Sequence, residues 1–192
     1  MGREFELKYA ATPAQQVEIA ARFGVSHTVT METTYYDTPD GALAARHITL
    51  RRRLENGVSV CTLKTPAGGL GRHEWELEAD SIQTAIPGLC KLSDLEELSA
   101  LTAGGVVPVC GARFTRLACP VDLGVATAEL ALDEGILFGG GRELPFAEVE
   151  VELKSGVETA VFGWAQALAA RFGLKPEPKS KFRRALTLAK GD

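Results

Sequence analysis

Glu148-Val149-Glu150-Val151-Glu152-Leu153-Lys154 is the stretch whose reading decides the fold. Successive side chains of a strand point to opposite faces, so Glu148, Glu150, Glu152 and Lys154 share one face. Val149, Val151 and Leu153 make the other face wholly apolar. That apolar face requires a packing partner. The charged face is the unusual one, because glutamate is a poor strand residue and like charges two positions apart repel.

The same alternation recurs along the chain. It appears in Glu4-Phe5-Glu6-Leu7-Lys8, in Arg51/Arg53, in Lys64 two residues after Thr62, in Glu74/Glu76/Glu78, and in Lys179/Lys181. The bases come as sets and not interspersed with the acids as solubility would favour. Apolar faces that suit helices outside, and charged faces turned inward, predict an α+β fold: a closed eight-stranded antiparallel β-barrel with helices packed outside. A site then takes the place of a core.

The 192 residues suit one domain, 1–192, and 45% hydrophobic with 24% charged residues is ordinary for a globular chain. A net charge of −4 gives no support to non-specific binding of nucleic acid or an anionic membrane. The N-terminus lacks an apolar h-region and no segment approaches the ~18 apolar residues of a membrane span, so a cytoplasmic protein is expected. Cys61, Cys90, Cys110 and Cys119 are spaced too irregularly for a metal site and read as free thiols of a reducing compartment. His27, His47 and His73 show no ligand spacing.

Local signals place the elements. Thr12-Pro13-Ala14-Gln15 is a capping box that opens a helix, with Gly24 as its stop. A strand follows over 29–38, ending in the turn Asp37-Thr38-Pro39-Asp40-Gly41; Tyr36 and Asp37 read as structural at that junction. Strands over 48–54 and 58–65 form a hairpin closed at Asn56-Gly57, and after the loop Gly68-Gly69-Leu70-Gly71 a strand spans 72–78. Ser93-Asp94-Leu95-Glu96 starts a second helix. Strands return over 107–138, with turns at Asp122-Leu123-Gly124 and Asp133-Glu134-Gly135. The strand over 144–154 precedes a third helix capped from Ser155, with Val161, Ala165, Leu168 and Phe172 as its apolar stripe. A basic strand over 181–188 closes the chain.

Carboxylates without histidine or thiolate neighbours select hard cations such as Mg²⁺ or Mn²⁺. Arginine pairs favour phosphate oxygens, and lysines add point charges. Acids and bases in one cavity therefore suggest a metal–polyphosphate complex. No Gly-x-x-x-x-Gly-Lys loop supports a P-loop fold.

The ordered set Glu4–Lys8, Tyr35-Tyr36-Asp37-Thr38, Leu50–Arg53, Thr62-Leu63-Lys64, Arg72–Glu76, Leu130–Gly135, Glu148–Lys154 and Ser180-Lys181 resembles the CYTH domain, or triphosphate tunnel metalloenzyme superfamily, and is most like its bacterial inorganic triphosphatases. The resemblance implies a tunnel that binds triphosphate with Mg²⁺ or Mn²⁺. It implies that Lys8, Arg51, Arg53, Lys64, Lys179 and Lys181 hold phosphate oxygens, with Arg113 or Arg116 adding another contact. Glu4, Glu6, Glu74, Glu76, Asp133, Glu148, Glu150 and Glu152 become the metal or water-organising carboxylates. Glu4, Glu6 and Lys8 are the catalytic candidates, Lys8 either binding phosphate or protonating the leaving group.

The implied reaction is metal-dependent hydrolysis of inorganic triphosphate to diphosphate and phosphate. Thiamine and nucleoside triphosphatases, class IV adenylate cyclases and non-catalytic polyphosphate-binding modules are the rivals. Only Met1, Gly2 and Arg3 precede Glu4, where such cyclases carry a His-Phe element. Trp75 and Trp164 are the candidate platforms for an organic substituent, and neither alternates toward the charged face. The expected partner is a small-molecule triphosphate, with a C-terminal CHAD domain in a longer gene product as an option; the sequence carries no sign of oligomeric state.

Overall fold

Period-two alternation builds ten strands: β1 (Gly2–Glu4), β2 (Glu6–Ala10), β3 (His27–Asp37), β4 (Thr49–Glu55), β5 (Val58–Pro66), β6 (Arg72–Glu78), β7 (Val107–Asp122), β8 (Ala126–Gly139), β9 (Arg142–Gly156) and β10 (Lys175–Pro176). The described residues also form six helices: α1 (Pro13–Phe23), α2 (Ala42–Ala45), α3 (Ile82–Ser93), α4 (Glu96–Thr102), α5 (Glu158–Phe172) and α6 (Lys181–Lys190). The structure, a computed structural model, describes residues 2–67 and 71–191; the glycines at 68 and 69, and Leu70, lie outside the described residues. Thr12 and Gln15 form both arms of the capping box that opens α1. Asn56 and Gly57 take φ of 49° and 90°, as a hairpin loop twisted to match its strands requires.

One antiparallel sheet runs in the order β1-β6-β5-β4-β3-β7-β8-β9-β2-β10. This corrects the expectation of a closed eight-stranded barrel: the strands number ten, and no ladder joins the two ends of the sheet among the described residues. The physical reason is a break in the first strand. β1 pairs with β6 and β2 pairs with β9, so Phe5 links the β1 end of the sheet to β2, next to the short β10 at the other end.

The outward faces bury the main cores. Tyr9, Leu130, Leu132, Val149 and Val151 pack against Ile19 of α1 and Val161, Ala165 and Leu168 of α5. Leu50, Cys61, Leu63 and Trp75 pack against Ile82, Ala85 and Leu89 of α3 and Leu98 of α4. A third cluster lies on the opposite face of the sheet. There Ala185, Phe182 and Leu186 of α6 meet Met31, Tyr35, Phe114, Leu137 and Phe146. All four cysteines are free and buried or half-buried. Leu130→Ala, at 0% exposure, is expected to cost about 2–5 kcal/mol, read by urea denaturation.

Three local expectations are overturned. The chain from 181 is a helix and not a strand: the Ser180 hydroxyl accepts from the Arg183 amide and Gly191 ends the helix in the left-handed conformation. Asp133-Glu134-Gly135 lies inside β8 and makes no turn. Gly135 stands there because a Cβ would lie 2.1 Å from the Arg113 carbonyl oxygen. Helix α5 starts at Glu158 without a side-chain cap, since β9 runs through Ser155 to Gly156. α3 has no counterpart in the expectations; Ser81 caps it, and Pro87 sits inside it.

Candidate active site

The inward faces of the strands enclose a cavity of about 980 Å³. Of the residues expected at a site, Glu4, Glu6, Lys8, Arg51, Arg53, Lys64, Glu74, Glu76, Arg116, Glu150, Glu152 and Lys181 line it. Asp133 and Glu148, at 0% exposure, are not in its wall and stand among the cations that are. Arg113 alternates to the other face: its side chain is 54% exposed and donates to Glu143 at 2.9 Å. Lys179 is exposed and outside the cavity wall. Of the two arginines left open, Arg116 is therefore the one in the cavity.

The deepest part is a balanced cluster. Asp133, Glu148 and Glu150 bring carboxylate oxygens within 4.8 Å of one another. The register explains it, because Glu148, Asp133 and Arg116 are direct cross-strand partners on β9, β8 and β7. Arg116 donates from Nε and Nη2 to the two oxygens of Asp133, each at 2.7 Å, and also to Glu150. The Lys181 ammonium, 9% exposed, lies 2.6 Å from Asp133 and 2.8 Å from Glu150 and also bonds Glu148. Arg184, one turn along α6, donates to Glu148.

Burial alone would lower the pKa of Lys181, but Asp133, Glu150 and Glu148 outweigh it and hold the ammonium above its usual value. Burial pushes Glu148 up to about 7 against the pull of Lys181. Glu150 is also opposed by burial, yet Lys181 and Arg116 hold its carboxyl well below the usual range.

Toward the opposite wall the charges are less well matched. Lys64 donates to both oxygens of Glu4 at 2.7 Å and lies 3.1 Å from Glu74. Arg51 reaches Glu74 at 3.4 Å, Arg53 pairs with Glu55, and Lys8 lies 3.1 Å from Glu6. The Nε atoms of Arg51 and Arg53 are buried and have no hydrogen-bond partner among the described residues. Burial, and then the charge of Arg51, push the Arg53 guanidinium down from its usual pKa. These two buried donors lack an acceptor, which is the condition an anion relieves.

A third group is acidic. Glu6 is the cross-strand partner of Glu152, and Glu152 of Glu129, with Lys8 and Lys154 alongside. Like charges directly opposite destabilise a sheet, and oxygen-only donors are the type that suits a hard cation, but among the described residues it is Asp133, Glu148 and Glu150 that bring ligand oxygens within 4.8 Å of one another. Glu55 and Glu129, which line the cavity, were missed by sequence reasoning, and Arg183, which also lines it, and Arg184 stood out there only as part of a basic run. Only helical spacing from Lys181 would have found Arg184.

An inverted antiparallel sheet whose charged interior pairs acids with phosphate-type bases defines a class, and comparison with known proteins identifies it. A family model described as the CYTH domain matches residues 2–186, and the chain belongs to that family. The chain is 30% identical over 197 residues to the inorganic triphosphatase of Haemophilus influenzae, covering 98% of this chain and 55% of that protein. It is 29% identical over 165 residues to the thiamine-triphosphatase of Macaca fascicularis, covering 84% of this chain and 64% of that protein. The chain thus spans less than two thirds of the length of these curated relatives.

Two solved structures share the fold. The PH1819 protein of Pyrococcus horikoshii superposes with a TM-score of 0.68 at 23% identity, over 95% of this chain and 98% of that one. Hippeastrum HpAC1, whose description gives a dominant triphosphatase activity, superposes with a TM-score of 0.65 at 21% identity, over 100% of this chain and 97% of that one. Among the described residues no helix is long and apolar enough to cross a membrane.

Proposed function

We propose that the chain, as a single CYTH domain over 1–192, hydrolyses inorganic triphosphate to diphosphate and phosphate inside the charged cavity, with Mg²⁺ or Mn²⁺ as cofactor. The observation that carries the reading is that Arg51 and Arg53, each with a buried Nε that has no hydrogen-bond partner among the described residues, line the same cavity as the glutamates of the acidic row. Lys8, Arg51, Arg53, Lys64, Arg116 and Lys181 bind the phosphate oxygens. Glu4, Glu6 and Glu152 would hold the cation, with Glu74, Glu76 and Glu150 completing the acidic wall. When bound, the cation would polarise phosphoryl oxygens and acidify water.

The chain's own residues do the rest. Arginines held by their neighbours fix the triphosphate before reaction, so no reorganisation is needed as charge moves to the departing diphosphate. The glutamates orient the attacking water. Burial opposes the charge on Lys8, but Glu6 and Glu150 hold its ammonium above the usual pKa. A charge held in this way suits the binding of a phosphate oxygen.

Inorganic triphosphate is favoured over thiamine or nucleoside triphosphates by where the aromatics lie. Trp75 belongs to the core under α3, and Trp164 packs edge-on against Phe23 at 5.6 Å, so both are outside the cavity. Of the aromatics that do line it, Tyr35 and Phe182 pack on each other with ring centres 5.0 Å apart, and Phe114 packs edge-on against Phe146 at 5.7 Å. The test is phosphate release from tripolyphosphate, ATP and thiamine triphosphate, each with Mg²⁺ or Mn²⁺, for the wild type and Glu4→Gln. Tripolyphosphate should be the fastest, and Glu4→Gln should lower kcat/KM by about a hundredfold. Tight tripolyphosphate binding without turnover of any substrate would replace hydrolysis by a binding role.

A further inference from the structure

The row of guanidinium groups on the cavity wall does not end at Arg51. Arg53 and Arg51 stand two residues apart on one face of β4, about 7 Å by the rise of a strand. The next position of that face is Thr49, which is buried and also lines the cavity. There the charge comes from another strand: Arg72 of β6 donates from Nη1 to the Thr49 hydroxyl, at the long distance of 3.4 Å. β5 lies between β4 and β6, so the Arg72 side chain reaches over it to continue the row. Thr49 begins β4, Pro66 ends β5 and Arg72 begins β6, which puts this place at the rim of the cavity.

Arg72 is also a cation in surplus. The other lysines and arginines of the wall, Arg183 apart, each have a carboxylate oxygen within 4.0 Å. Among the described residues Arg72 has none. The acids nearest to it in register are already engaged. Glu4, its cross-strand partner, accepts from Lys64 at 2.7 Å, and Glu74, two residues along β6, is shared by Lys64 and Arg51. Arg183 is unpaired too, but it is exposed, whereas Arg72 is half-buried. A guanidinium carries five donors in a planar fork that matches phosphate, and the Thr49 hydroxyl, accepting from Arg72, keeps its own proton to donate.

We propose that Arg72 and Thr49 form an outer phosphate subsite beyond Arg51, and that the chain accepts linear polyphosphates of more than three phosphates, the fourth phosphoryl group resting there. This rests on the reading that the cavity binds triphosphate through Arg51 and Arg53, and extends it outward. Its place at the rim lets the remainder of a longer chain continue into solvent.

The experiment measures the Kd of tripolyphosphate and of linear tetrapolyphosphate by calorimetry on the full chain in EDTA, with kcat/KM for both in Mg²⁺. Tetrapolyphosphate should bind about tenfold tighter than tripolyphosphate, the scale of one added charge-assisted hydrogen bond. Arg72→Gln should erase that preference and change the Kd of tripolyphosphate by less than about twofold. Arg72→Lys keeps the charge without the fork, should fall between, and carries the test where the glutamine variant does not fold. Arg183→Gln removes the same charge from the same wall and should leave the preference intact. Equal Kd values for the two anions in the wild type, or an equal loss of preference in Arg183→Gln, would overturn the subsite and leave the triphosphate reading standing. Failure of either anion to bind, with or without Mg²⁺, would remove both.

Discussion

Lys181→Met is expected to destabilise the protein by about 3–5 kcal/mol in urea denaturation, the scale set by removing one partner from a buried ionic cluster. Lys181 answers three carboxylates at once, and two of them, Asp133 and Glu148, have 0% side-chain exposure. Arg116 and Arg184 remain, but two cations cannot match three anions in a dry site. α6 should loosen as well, because Lys181 and Arg184 are its polar anchors while Phe182 and Ala185 supply the apolar ones. The double variant Lys181→Met/Glu148→Gln removes one charge of each sign and should recover part of the loss. A non-additive cycle of that kind distinguishes the ionic cluster from simple packing.

Arg53→Met should do the opposite to stability and more to activity. In the protein without ligand Arg53 is half-buried, its Nε has no acceptor among the described residues, and the repulsion of Arg51 is set against its pairing with Glu55. Replacing it removes a desolvated charge, so the Tm is expected to hold or rise. The same change should lower kcat/KM for tripolyphosphate about 10²–10³-fold, the usual loss for one donor aimed at developing charge. A fall in Tm with unchanged kcat/KM would make Arg53 a structural residue and sink its assignment to phosphate.

What the sequence made legible follows from which signals are local. Period-two alternation is read residue by residue, so the charged inward face and apolar outward face of β9 were visible at once. Register is not local. Arg113 and Arg116 fall on opposite faces of β7, and choosing between them needed the pairing with β3 and β8.

The break at Phe5 was invisible for the same reason, because each half of that segment chooses a different neighbour. Asp133-Glu134-Gly135 has turn composition but is a strand, since its glycine answers crowding by the Arg113 carbonyl. The segment from Lys181 looked like a strand because Lys179 and Lys181 mimic alternation, yet the Ser180 cap and the pull of three buried carboxylates make it a helix.

The opposite faces of these strands also divide the evolutionary problem. Stability is carried largely by apolar clusters outside the cavity, beneath α1 and α5 and beneath α3 and α4. Much of the interior wall, from Arg51 and Arg53 to Glu74 and Glu76, contributes charge and little packing. Exchanges among those wall residues can retune what enters the cavity while the hydrophobic clusters that keep the chain folded stay intact. Such a scaffold is free to diverge in specificity before it diverges in shape. The buried knot around Lys181 is the exception, a place where recognition and folding must change together.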